Sequence, residues 1–83
     1  MSYQKYQMKA SDVINVDKEI LGGIPVFKGT RVPIKNLFDY LEAGDSLNDF
    51  LKDFDYIPRE SCLTILKTSE QLLIGAQLHE NIN

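Results

Sequence analysis

The sequence predicts a mainly α domain, three helices in a helix-turn-helix outline preceded by a short N-terminal β-hairpin arm. Apolar residues recur at i, i+3, i+4 and i+7 in two successive stretches, one from Ile34 and one from Leu47. Gly44 closes the first stretch and Ser46 opens the second, the residue types that stop and start helices. Upstream, "GGIPVFKGTRVPI" (22–34) holds three of the chain's five glycines and two of its three prolines, a density that marks a forced chain path.

Residues 1–11 carry no sustained periodicity and read as a loose terminal arm. The domain proper is expected over residues 12–79, with a tail at 80–83. "DVINV" (12–16) is a β-branched run between turn formers and predicts a strand. "IPVF" is a second strand candidate, joined through "KGT" to "RV". Gly29 enters positive φ without steric cost, so a tight turn is placed at Lys28–Thr30, and the arm is a hairpin or hairpin-like.

Pro33 holds Val32 extended and suits the first turn of a helix. Ile34, Leu37, Phe38 and Leu41 then form one stripe that ends at Gly44. Ser46 with Asp49 three residues on resembles a capping box, and Leu47, Phe50, Leu51 and Phe54 form the second stripe. "DYI" breaks the pattern and Pro58 reopens it. Cys62, Ile65, Leu66, Ser69, Leu72, Leu73 and Ala76 predict a third helix reaching Gly75 or a little beyond, roughly 27 Å long at 1.5 Å per residue. The expected core is Phe38, Leu41, Phe50, Leu51, Phe54 and Leu66, with either Cys62 or Leu63.

A chain of 83 residues is one domain, and at that size it buries only roughly 60 to 65% of its unfolded surface, so its core is thin and a homodimer is expected. The start "MSYQKYQMKASD" lacks the apolar run of a secretory signal, and no stretch is long and apolar enough to span a membrane. A cytoplasmic protein without membrane contact is the expectation. One Cys and one His cannot assemble a zinc site, which takes about four ligands, so no metal or other cofactor is expected. The net charge of -3 is uneven: residues 1–35 hold six Lys or Arg against three acids, and residues 36–83 hold three against nine. An anionic partner therefore suits the first half better than the second.

Catalysis is not expected. The lone His79 sits in the polar tail "LHENIN", and the glycines match neither phosphate-binding spacing. Two binding surfaces remain. If residues 46–74 form a helix-turn-helix, Arg59, Ser61, Thr64 and Lys67 at the start of the third helix, together with Lys52, are the candidates for operator DNA. The competing reading makes them the solvated face of a packed helix. "QLLIGAQL" (71–78) is apolar on nearly every side, which makes Leu73, Ile74 and Leu78 candidates for a protein partner or for burial within the chain.

The pattern Gly23, Pro25, Val26, Phe27, Gly29, Thr30, Arg31, followed by an apolar helix, Ala43, Gly44 and Ser46, resembles the bacterial and archaeal domain family of unknown function numbered 433 over roughly residues 14–74. Pro58 stands where members often carry a Thr or Ser cap. The resemblance implies a homeodomain-like helix-turn-helix fold. It also implies an antitoxin that neutralises a PIN-like nuclease toxin and, in complex with it, represses its own promoter. The alternative is a stand-alone DNA-binding regulator or a protein-interaction module without a toxin. Lys28, Gly29, Thr30 and Arg31 are further candidates for the partner contact. Arg31 either pairs with acceptors inside its own chain or dimer, or, with Lys28, approaches the acidic centre of the nuclease.

Overall fold

In the computed structural model, which describes residues 8–75, the chain is mainly helical with a two-stranded antiparallel sheet on its N-terminal side. The order is α1 (Ala10–Val13), β1 (Ile14–Asn15), β2 (Val26–Phe27), α2 (Ile34–Glu42), α3 (Leu47–Asp53) and α4 (Arg59–Glu70), the last continued by a π-helical turn, Gln71–Gly75. The three predicted helices are α2, α3 and α4.

The strand predicted over "DVINV" is reduced to two residues. Asp12 and Val13 are drawn instead into α1, where the Asp12 carboxylate accepts from the Lys9 N–H at 2.8 Å, a local bond that competes with extension. The sheet pairs Ile14 with Phe27 and Asn15 with Val26. Its main pairing thus runs between β1 and β2 rather than across the Lys28–Thr30 turn. Beyond that turn only a single bridge forms, Val26 to Pro33, supported by Phe27 N–H to Val32 O at 2.9 Å and Ile34 N–H to Pro25 O at 3.0 Å. Pro33 has no N–H to extend a ladder, and α2 begins at the next residue. Between β1 and β2 the chain reverses through Leu21–Gly23, three successive residues at φ 49°, 72° and 97°.

Both internal stop and start signals operate as expected. Gly44 takes φ 93° after α2. In α3 the Ser46 Oγ accepts from Asp49 N–H at 3.0 Å, and the Asp49 carboxylate accepts from Ser46 N–H at 2.9 Å, a full capping box. Pro33 and Pro58 sit as N-caps in extended conformation rather than inside the first turn.

The core joins the arm to the helices. Phe50 of α3 is fully buried, with its ring 5.8 Å from Phe27, 5.3 Å from Tyr40 and 4.8 Å from Phe54. Leu37, Cys62 and Ile65 are buried beside it, and Phe38, Leu41, Leu51, Phe54 and Leu66 pack half-buried around the centre. Of the pair left open by the sequence, Cys62 is inside and Leu63 is 47% exposed. The expected core omits Val13, Val26, Phe27, Val32 and Ile57, all buried. These residues come from short segments whose periodicity is too brief to register.

Phe50→Ala is expected to destabilise the domain by about 3 kcal/mol or more in denaturant unfolding, because the cavity opens at the junction of β2, α2 and α3. The Ser46 amide holds the Asp49 carboxyl below its usual range. Its contribution is therefore present above the ordinary carboxylate pKa and is lost as pH falls through the lowered value. Thermal melts of Asp49→Asn and wild type are expected to differ at pH 7 and converge toward pH 3.

Candidate partner-binding surface

The turn after β2 is built by its backbone. Gly29 sits at φ 81°, and a Cβ there would meet nothing within 4 Å, so only the backbone conformation requires glycine. Thr30 locks the turn: its N–H and Oγ1 both donate to Phe27 O, at 3.0 and 2.8 Å, and Oγ1 accepts from Val32 N–H at 3.0 Å. Thr30 is thus occupied within the turn. Lys28 ties the turn to the first helical segment, its N–H donating to Val13 O and its Nζ to Ser11 O at 2.9 Å. Arg31 is exposed and makes no hydrogen bond or ion pair among the described residues. The turn presents two cations, and the rest of it is scaffold.

The face of α4 differs from the expected row of donors. The Arg59 guanidinium donates to Asn48 Oδ1 of α3, and Lys67 pairs with Glu70 at 2.9 Å. Glu60 is exposed beside Arg59, so the acids and bases of this helix balance. Thr64 is half-buried, and Lys52 is exposed in the last turn of α3. Ser61 does not reach the exposed face and is only 8% exposed. Its position four residues before Ile65 puts it on the inward side of the helix, a signal present in the sequence. Its N–H donates to Pro58 O at 3.0 Å, while its hydroxyl makes no hydrogen bond among the described residues. Leaving such a hydroxyl unpaired costs about 1 to 3 kcal/mol.

Past α4 the apolar stripe leaves the core. Leu72, Leu73 and Ile74 are 66%, 62% and 55% exposed: three consecutive positions cover about half of the helix circumference, so this turn has run past the elements that cover α4. Leu78 lies outside the described residues. Leu72 borders a groove of about 730 Å³ whose other walls include Ile24, Pro25, Ile34, Phe38 and Ile65. Four separated segments build this groove, so no single stretch of sequence announces it.

Among the described acids of residues 36–83, Asp39, Asp49, Asp53 and Glu70 are engaged locally, and Glu42, Asp45, Asp55 and Glu60 are exposed. Lys35 pairs with Asp39 at 2.8 Å, and the Tyr40 hydroxyl donates to Asp53, a bond that raises the phenol's pKa. Burial pushes the Cys62 thiol up, which is the opposite of an activated nucleophile. No helix among the described residues is long and apolar enough to cross a membrane.

No curated protein and no solved structure matches the chain. Residues 14–67, from β1 through most of α4, match the family described as protein of unknown function, DUF433. With the Gly29–Thr30–Arg31 turn and the capped α2–α3 pair inside the matched span, the chain belongs to that family.

Proposed function

We propose that this chain is a cytoplasmic antitoxin that binds and neutralises a PIN-like nuclease toxin and, in complex with it, represses its own promoter. The observation that carries the protein-binding part is the run Leu72–Ile74, more than half exposed and continuous with an apolar groove. Apolar surface concentrated in this way marks a contact site for another protein. The class of partner comes from the family resemblance. Lys28 and Arg31, exposed on a rigid turn, fit an acidic surface such as the metal-binding centre of such a nuclease.

The operator-binding part uses Arg59, Lys67 and Lys52, doubled in a homodimer whose two-fold axis matches a palindromic site. The balance of Glu60 and Glu70 against Arg59 and Lys67 makes this face a weak ligand for DNA on its own. That balance favours, as the second reading, a protein-interaction module without an operator. Six phosphate contacts from two chains give a slope of about -5 for log affinity against log salt.

Leu73→Asp is expected to abolish binding to a PIN-like nuclease encoded beside the gene for this chain while shifting the melting temperature little, since the side chain is solvated in the free chain. Pull-down and growth rescue in cells expressing that nuclease read the outcome, and unchanged rescue rejects the apolar surface as the contact. Arg59→Ala with Lys67→Ala is expected to eliminate operator shifts in gels and to leave rescue intact. Retained shifts in the double variant reject α4 as the DNA-reading helix.

A further inference from the structure

The hydroxyl of Ser61 points to a second, smaller contact. Ser61 opens onto a cleft of about 250 Å³ between the first turn of α4 and the Lys28–Thr30 turn. Phe27, Ile57 and Pro58 give it apolar walls, and Lys28 and Tyr56 stand among the polar residues that border it. The volume lies below the roughly 300 to 1,000 Å³ of small-molecule sites, so the cleft suits one side chain. Ser61 is 8% exposed and its hydroxyl has no partner among the described residues, which leaves one hydrogen bond to be made from inside the cleft.

We infer that this cleft is an anchor pocket for an acidic side chain of a protein partner. The aliphatic stem lies along Phe27, Ile57 and Pro58, and the carboxylate accepts from Ser61 Oγ and from Lys28 Nζ. Among the described residues the Lys28 ammonium has no acidic partner, its bond being to the neutral Ser11 carbonyl, and Arg31 adds a second cation on the same turn. The Asp12 carboxylate also borders the cleft and accepts from the Lys9 N–H, and Lys28 and Arg31 set two positive charges on the turn against its one negative charge. A nucleic-acid phosphate is the less suitable occupant, because the apolar walls match an aliphatic stem and the volume admits one side chain rather than a sugar-phosphate backbone. The inference rests on the reading that the turn faces an acidic protein partner and names the residues that take one of that partner's side chains.

Amide NMR of the full chain, titrated with N-acetyl-glutamic acid α-amide at millimolar concentration, tests it without the toxin. Saturable shifts at Ser61, Lys28 and Ile57 are expected, with N-acetyl-glutaminamide giving none at the same concentration. Ser61→Ala is expected to weaken the glutamate probe roughly fivefold, the loss of one hydrogen bond, while leaving the melting temperature unchanged or higher. Lys28→Gln, at an exposed site, is expected to weaken the probe as well. Equal response to the glutamine probe, no response to either, or a Ser61→Ala variant that melts lower and binds as before overturns the assignment. Shifts at these amides with duplex DNA but not with the glutamate probe also overturn it and give the cleft to nucleic acid. A negative result here leaves the Leu73→Asp test of the larger surface unaffected.

Discussion

The contact between Phe27 and Phe50 is the constraint on which the rest of this small fold depends. Phe50 alone would join α3 to α2 through Tyr40. By also meeting Phe27, it couples the helices to a strand only two residues long. A two-stranded pair of that length has no stability of its own in water. It persists because Val26 and Phe27 are buried under the helices, and in turn it fixes the start of the Gly29 turn. The position of Lys28 and Arg31 thus follows from an aromatic contact in the core.

The same coupling explains why the segment from Gly22 to Ile34 is so rich in glycine and proline. It has to reverse direction at Leu21–Gly23, lie beside β1, reverse again at Gly29 and deliver Ile34 to the start of a helix. Each reversal uses positive φ, and Pro33 ends the extended stretch by lacking a donor. Thr30 then fastens the second reversal from inside. Little of this segment is left over for recognition except the two cationic side chains that project from it.

The helical part was legible in the sequence because its signals are local. Gly44, Ser46 and Asp49 act on neighbouring backbone groups, and four apolar positions per helix suffice to give the period. The arm was legible only in outline, since choosing between pairing across Gly29 and pairing with β1 depends on Val13 O accepting from Lys28 N–H, a contact fifteen positions apart. Ile57 was missed because it sits in the break between two helices and is buried by tertiary packing alone. The candidate site was half legible: the exposed cations and the apolar end of α4 could be named, but Ser61 was assigned to the wrong side of its helix. The groove and the cleft are products of packing between distant segments and have no sequence signature.

The change of winding at Gln71 has a mechanical consequence. Up to Glu70 the last helix is fastened through Cys62 and Ile65, and beyond it the same rod continues into solvent for another turn. Leu73 and Ile74 thus stand on a helix that the core holds by its other end, through Ser61, Cys62 and Ile65. A contact made at Leu73 or Ile74 would therefore meet the interior only by way of α4.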